Sequence, residues 1–200
     1  IDVAVADSPI GPFMPARKDG TPLITDDMTT DSHRPNADID PTVIIDYDGT
    51  PWMAWGNGDC YMVKLKKNMT ELDGEIRKVP LRNFSEGPWI FKRKGIYYNV
   101  HAADAPGVQP EQIAYSYAYD IEGPWIYGGL LTGPAKYGFT IHPSVNQFKN
   151  RWYFFYHDGA YMQNGEPGGD CRRSVCVEYL HFRSDGTIKP ITLTQEGIMK

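Results

Sequence analysis

The chain has 200 residues and a formal net charge of −5, and its length suffices for one domain with a sizeable core. An acidic chain is a poor partner for nucleic acid, because phosphate binding needs a basic surface, and no apolar run approaches the length of a membrane span. With 13% aromatic residues, 20 glycines and 16 prolines, the composition favours many short strands joined by tight turns.

The N-terminal segment predicts the outer strands of a sheet whose inner strands are absent from this sequence. Residues 3–13 resemble residues 114–125, since both read as a strand, a turn and an exit through Gly-Pro and an aromatic residue. We interpret them as outer strands of two different sheets. The chain begins with neither a Met nor a signal peptide, so we expect its N-terminus to be cut.

Three further units repeat along the rest of the chain. Each has a polar residue one or two places before a proline, then an apolar run, a tight turn and an aromatic strand. The prolines of the three units, Pro41, Pro88 and Pro143, lie about 47 and about 55 residues apart. A period of about 50 residues that is built from strands is typical of propeller blades.

We therefore predict an all-β fold in which residues 1–200 form a single partial propeller. Its predicted parts are the end of a preceding blade at 1–35 and three further blades at 36–84, 85–138 and 139–200. A propeller needs at least about four blades to close. The chain is thus expected to be an incomplete propeller.

The polar residue that leads each unit is a candidate site residue. Asp40, Glu86 and His142 stand at equivalent places, and equivalent residues of blades around an axis converge at the mouth of the central channel. A partly desolvated carboxyl beside a second carboxyl has a raised pKa, and glycoside hydrolysis requires a protonated acid together with a carboxylate. His142 would hold a substrate hydroxyl, orient a carboxyl or bind a cation through water. The alternatives are structural, with Asp40 capping a turn before its proline and His142 capping the core.

Other residues add weaker signals. Arg173, at the entry of a later strand, would keep one of the acids ionised, or would be a surface arginine in a salt bridge. Asn57 would reach the channel mouth. Trp89 would either stack on a sugar ring or pack within the sheets, and packing is favoured for it. Cys171 and Cys176 would either form a disulfide or lie apart.

Four segments resemble the motifs of glycoside hydrolase family 43, namely residues 39–49, 86–98, 142–145 and 173–178. The resemblance covers nearly the whole chain and implies a five-bladed propeller that cleaves glycosidic bonds with inversion. The last segment is most similar to the β-xylosidases and α-L-arabinofuranosidases that act on xylan. Removal of xylose or arabinofuranose from plant cell-wall xylan or arabinoxylan is therefore expected, in a secreted or periplasmic protein with no nucleic-acid or membrane partner.

The resemblance also implies a role for each matching residue. Glu86 would be the general acid, and Asp40 would be the carboxylate that tunes the pKa of the acid and orients the substrate. Arg173 would contact the substrate or Asp40. His142 would lie at the channel centre, where relatives often hold a calcium ion through water, and no cofactor is otherwise required.

One catalytic part has no match. The general base of the family is an Asp on the first blade, and that blade is not in this sequence; Asp2 and Asp7 belong to an outer strand. The chain is therefore expected to be part of a longer enzyme, or to be inactive as it stands. Two other hypotheses stay open, namely a carbohydrate-binding propeller without catalysis and a propeller scaffold for protein partners.

Overall fold

The computed structural model describes residues 1–104 and 110–198, and in these the regular secondary structure consists almost entirely of strands. Asp26–Met28 forms a 3-10 turn. The strands are β1 (Ala4–Val5), β2 (Met14–Pro15), β3 (Thr42–Ile45), β4 (Pro51–Trp55), β5 (Cys60–Lys64), β6 (Arg77–Val79), β7 (Phe84–Arg93), β8 (Ile96–Ala103), β9 (Gln112–Ala118), β10 (Ile126–Thr132), β11 (Ser144–Phe148), β12 (Arg151–Asp158) and β13 (Ser174–Leu180). The predicted all-β class is confirmed. Within the described residues, no helix is long and apolar enough to cross a membrane.

The strands form four antiparallel sheets, each of which follows the chain order. Sheet I holds β1–β2, sheet II holds β3–β6, sheet III holds β7–β10 and sheet IV holds β11–β13. In each of sheets II to IV, strands that are consecutive in the chain are therefore neighbours in the sheet, and no connection crosses over a strand. The division into blades at 36–84, 85–138 and 139–200, with 1–35 before them, stays a prediction.

Tight hairpins join the first two strands of sheets III and IV, and their residues explain the geometry. Lys94 and Gly95 both have positive φ angles of 49° and 81°, and so do Lys149 and Asn150 with 46° and 62°. Two consecutive left-handed residues match the right-handed twist of a two-residue hairpin. These turns lie at the far end of each first strand from the residue that leads it, so the leading residues share the opposite end.

The core lies between consecutive sheets. Ala54 and Met62 of sheet II share one buried cluster with Ile90 of sheet III. Val100 of sheet III shares a second cluster with Phe154 of sheet IV. Fully burying side chains of this kind contributes roughly 1.5–3 kcal/mol each, so this packing fixes each sheet against the next.

The resemblance between the segments 3–13 and 114–125 has a structural counterpart. The Gly11 N–H donates to the Ser8 carbonyl at 3.0 Å, and the Gly123 N–H donates to the Asp120 carbonyl at 2.9 Å. Both glycines precede a cis proline and have positive φ. The two segments thus form the same turn between antiparallel neighbours.

The three cysteines are all unpaired. Cys60 is buried, Cys176 is half-buried and Cys171 is exposed. Of the two alternatives for Cys171 and Cys176, the structure has the one in which no disulfide forms.

Candidate active site

The leading residues of sheets II, III and IV come together at one point. The His142 Nε2 atom lies 2.8 Å from Glu86 Oε1, and its Nδ1 atom lies 3.9 Å from Asp40 Oδ2. One side-chain ligand atom of each residue lies within 4.8 Å of the other two. The three side chains are 17–33% exposed, so the cluster is half-buried and open to a ligand.

Unusual backbone geometry aims both carboxyls at this point. Asp40 has a φ angle of +55°, a left-handed conformation that non-glycine residues rarely adopt. Glu86 lies between two register shifts in the pairing of β7 with β8, and such bulges redirect a side chain. Strain of this kind is typical of functional positions.

The contact between Glu86 and His142 requires a glycine at position 87. Its φ angle is +59°, and an added Cβ atom would lie 2.8 Å from His142 Nδ1. Only glycine combines this conformation with the close approach of the imidazole. The Glu-Gly-Pro segment therefore serves the contact between Glu86 and His142 and is not a simple turn.

The hydrogen bond between Glu86 and His142 dominates the electrostatics of the pair. It lowers the pKa of Glu86 from its usual range, against the opposing effect of burial. Burial disfavours the imidazolium, but the Glu86 hydrogen bond and the charge of Asp40 raise the pKa of His142. The imidazolium therefore donates to an ionised Glu86 carboxylate, and the raised pKa predicted for Glu86 from its carboxyl neighbour is wrong for this structure.

Asp40 has the opposite shift. Burial raises its pKa, and the charge of Glu86 adds to this, while His142 and Arg173 oppose it. Its Oδ2 atom is buried and has no hydrogen-bond partner among the described residues. Of the two acids, Asp40 thus holds a proton more readily.

Arg173 belongs to the electrostatics of this cluster. Its charge lowers the pKa of both Asp40 and Glu86. The side chain is exposed, and no carboxylate of residues 1–104 or 110–198 lies within salt-bridge distance of it. The surface salt bridge considered for it is therefore not formed by the described residues.

In this structure Asn57 and Trp89 form contacts with residues that surround the site. Asn57 forms an isolated backbone bridge with Glu86, and its Oδ1 atom accepts from Arg34 Nη1 at 3.1 Å. The Trp89 Nε1–H donates to the Val145 carbonyl at 2.9 Å, and its ring packs against the core between sheets III and IV. Packing was the favoured prediction for Trp89.

A second layer of polar residues was missed by the sequence reasoning. Arg34 donates to Ser85 Oγ at 3.3 Å and to Asp104 Oδ2 at 2.8 Å, and its charge lowers the pKa of Glu86. The Ser85 hydroxyl also lies 2.7 Å from the buried Glu111 carboxyl. The only sequence signal was the ionisable residue Glu111 directly before an apolar strand.

His157 also lies beside the cluster. Its ring centroid is 5.5 Å from that of His142, and Nε2 is 3.2 Å from Thr140 Oγ1. Burial lowers the pKa of His157 to about 4, and the charges of Arg173 and His142 add to this. His157 is therefore a neutral imidazole next to a charged one.

Among the residues that the structure describes, Asp40, Glu86 and His142 form a group that could hold a cation. Calcium takes 6–8 oxygen ligands, whereas this group offers two carboxylates and an imidazole whose Nε2 already contacts Glu86. The donor set does not fit directly bound calcium. Calcium held at His142 through water stays a prediction.

The sequence of this chain is similar to those of known glycosidases. The chain is 28% identical to an arabinoxylan arabinofuranohydrolase of Paenibacillus polymyxa, covering 99% of this chain and 34% of that protein. It is 28% identical to the xylosidase/arabinosidase 43A of Humicola insolens, covering 94% of this chain and 65% of that protein. The chain thus spans about one third to two thirds of the length of these relatives.

The fold is also similar to that of a solved glycosidase structure. The α-L-arabinofuranosidase of Clostridium thermocellum superposes with a TM-score of 0.79 at 25% identity, covering 100% of this chain and 67% of that chain. The family model described as glycosyl hydrolases family 43 matches residues 1–188. Since that match covers almost all of the sequence, the chain belongs to glycoside hydrolase family 43.

Proposed function

We propose that this chain carries the general acid and its modulating carboxylate in an inverting glycosidase. The enzyme would remove xylose or arabinofuranose from xylan or arabinoxylan. The observation that carries the proposal is the meeting of Asp40, Glu86 and His142 within 4.8 Å at the leading ends of three sheets. The names of the relatives, an arabinoxylan arabinofuranohydrolase and a xylosidase/arabinosidase, support the substrate class.

The spacing of the two carboxyls supports the role of Asp40. In an inverting enzyme the acid and the base stand about 6.5–9.5 Å apart, because a water molecule must fit beside the sugar. Asp40 and Glu86 have oxygens within 4.8 Å of each other, which leaves no room for that water. Asp40 is therefore the modulator, and the base is a further carboxylate across the sugar.

Glu86 acts as the acid when the substrate replaces His142 as the hydrogen-bond partner of Glu86. The bond to His142 is the main cause of the low pKa of Glu86. When a glycosidic oxygen takes the place of the imidazole as partner, that cause is removed and water is excluded. The remaining effect of burial then favours a protonated Glu86.

Arg173 would contact the substrate. Its guanidinium is exposed beside the acids, and arginine presents several N–H donors in a fixed plane. Sugar hydroxyls or a ring oxygen can accept from these donors. Asn57 and Trp89 would support the site from behind without touching the sugar.

A further blade is proposed to complete the propeller. Sheet IV exposes two large apolar side chains on one face, with Val175 84% and Phe148 62% exposed. Exposed apolar side chains that share a face are consistent with a further blade packed there. A blade packed there would bring the base to the axis and would make up five blades. Since polymeric xylan lies outside cells, we place the enzyme in a secreted or periplasmic setting, with no organic cofactor and with no nucleic acid or membrane as partner.

The experiment is a turnover assay on arabinoxylan and xylo-oligosaccharides, using the full-length protein. Acid catalysis contributes about 10²–10⁴-fold, so Glu86→Ala should reduce the rate on these substrates by that factor. The control is Glu75→Ala, at an exposed glutamate in a loop. A loss smaller than about tenfold in Glu86→Ala would contradict the acid role. NMR of the first product should show an inverted anomer; a retained anomer would make Asp40 a nucleophile and overturn the mechanism.

A non-catalytic carbohydrate-binding protein is the second candidate. It is favoured by the low pKa of Glu86, which suits an ionised hydrogen-bond acceptor for sugar hydroxyls. Calorimetry with the same oligosaccharides, alongside the turnover assay, separates the two functions. Binding without any product would favour this candidate.

A further inference from the structure

Glu111 links two neighbours of the candidate active site. The Ser85 hydroxyl lies 2.7 Å from Glu111 Oε1, and the Ile141 N–H donates to Glu111 Oε2 at 3.3 Å. Ser85 directly precedes Glu86 in sheet III, and Ile141 directly precedes His142 before sheet IV. One carboxyl thus bridges the two sheets at the point where the Glu86–His142 contact is made.

The bridge is built in the protein interior. Glu111 is 6% exposed, Ser85 is 1% exposed and Ile141 is fully buried. A buried ionised carboxyl is costly unless it is fully paired. Glu111 touches no cation through a salt bridge within residues 1–104 and 110–198, so its hydrogen bonds have to satisfy it.

The hydrogen bonds around Ser85 Oγ determine whether Glu111 is protonated or ionised. Besides Glu111 Oε1, Ser85 Oγ lies 3.0 Å from Asp104 Oδ2 and accepts from Arg34 Nη1 at 3.3 Å. A hydroxyl has one proton, so it can donate to only one of the two carboxyls. If both were ionised, the other contact would bring two oxygens together with no proton between them.

Asp104 is the carboxyl that is paired with a cation. It forms a salt bridge with Arg34 at 2.8 Å, whereas Glu111 forms no salt bridge within the described residues. The second proton that the two contacts need is therefore carried by Glu111. Glu111 donates to Ser85, and Ser85 donates to Asp104, so that each of the two contacts has one proton.

Burial and charge agree with this assignment. Burial raises the pKa of Glu111, and the charge of Glu86 raises it further. The hydrogen bonds from Ser85 and Ile141 and the charge of His142 act in the opposite direction. Asp104 and Arg34 also face the group through Ser85.

We propose that Glu111 is a positioning residue that, as a neutral acid, ties Ser85 to Ile141 and so sets the distance between Glu86 and His142. The hydrogen-bonded bridge rests only on the contacts above. Its effect on catalysis rests on the proposed function. The two parts therefore need separate measurements.

The bridge is tested on this chain by NMR of ¹³C-labelled glutamate carboxyls. Glu111→Gln identifies the Glu111 signal by its loss. At about pH 6, where an ordinary glutamate is ionised, the Glu111 signal should have the shift of a protonated carboxyl and the Glu86 signal that of a carboxylate. An ionised Glu111 at this pH overturns the neutral bridge, whatever the activity of the protein.

The catalytic effect is tested by comparing Glu111→Gln with Glu111→Ala in the full-length enzyme. The amide of Gln can donate to Ser85 and accept from Ile141, as a neutral acid does. We expect Glu111→Gln to retain kcat within about twofold and Glu111→Ala to lose about tenfold or more, with KM little changed, because misplaced catalytic groups lower kcat. Equal loss in both variants, or no loss in Glu111→Ala, overturns the proposal.

A pH profile separates positioning from a merely structural role. In the wild-type enzyme the ionisation of Glu111 should lower kcat on the alkaline side in addition to the ionisation of Glu86. Glu111→Gln should therefore retain kcat to a higher pH than the wild type does. If Glu111→Ala does not fold, Ser85→Ala removes the central hydroxyl instead and should lower kcat similarly. If the enzyme shows no turnover at all, the proposed function fails, while the NMR measurement still decides the bridge.

Discussion

His142 Nε2 lies 2.8 Å from Glu86 Oε1 although the two residues are 56 positions apart and lead different sheets. This contact lowers the pKa of Glu86, the residue that the family resemblance makes the general acid. In the free protein it therefore favours the ionised form of that residue. Four predictions follow from the contact and from the residues that hold it.

The leaving group should reveal which carboxyl is the acid. Glu86→Ala should reduce turnover of unactivated oligosaccharides by about 10²–10⁴-fold, but should affect aryl glycosides with acidic phenol leaving groups much less, because these need no proton. Asp40→Ala should slow both substrate types. Initial rates on matched substrates measure this; the reverse pattern would make Asp40 the acid.

The pair of His142 and Glu86 should stabilise the fold in a limited pH window. The pKa of His142 is raised from 6.5, so its contribution is full below about pH 6.5 and is lost as the pH rises through the raised value. The pKa of Glu86 is lowered from 4.5, so its contribution is present above about pH 4.5 and is lost as the pH falls through the lowered value.

The measurement is the free energy of unfolding of wild type and His142→Ala at a series of pH values. The difference between them should be largest inside the window and should shrink on both sides. A difference that does not change with pH would show that His142 acts only by packing. The charge of Asp40 also raises the pKa of His142, so Glu86→Gln should narrow the pH window without abolishing it.

Gly87→Ala should damage the site more than an equally strained glycine substitution elsewhere. The new Cβ would lie 2.8 Å from His142 Nδ1, at a φ angle of +59°. Gly95 is the matched control, because its φ angle is +81° and nothing lies within 4 Å of the added Cβ. Left-handed strain costs about 1–2 kcal/mol in either variant, measured by denaturant unfolding. Only Gly87→Ala should also change the His142 imidazole NMR signals; unchanged signals would contradict the assigned contact.

Asp40→Gly should stabilise the protein while abolishing its role in the site. Glycine adopts the φ angle of +55° without strain, and the change removes a carboxyl with an unpartnered buried oxygen. A gain of about 1 kcal/mol is expected from relief of the strained conformation. Lys94→Gly, at an exposed residue with a φ angle of +49°, measures the strain alone and should yield a smaller gain. Destabilisation by Asp40→Gly would show that the carboxyl is structural.

Much of the fold could be predicted because its signals are local. A glycine such as Gly95 adopts a left-handed angle without strain and so marks a tight turn, and aromatic runs form strands by their own preference. Repetition of these signals made Asp40, Glu86 and His142 equivalent, and the structure places the three together. The bridge between Glu111 and Ser85 could not be predicted, because it joins residues 26 positions apart through a hydroxyl that carries no sequence signal.

The sequence by itself determined the strand class, the hairpins and which polar residues lead each sheet, since these depend on neighbours along the chain. Only the tertiary structure decided the charge of the acids. The pKa of Glu86 is low and that of Asp40 is high because each depends on burial and on partners from other sheets. Electrostatic energy falls with distance in space, and packing of the sheets is what makes that distance short.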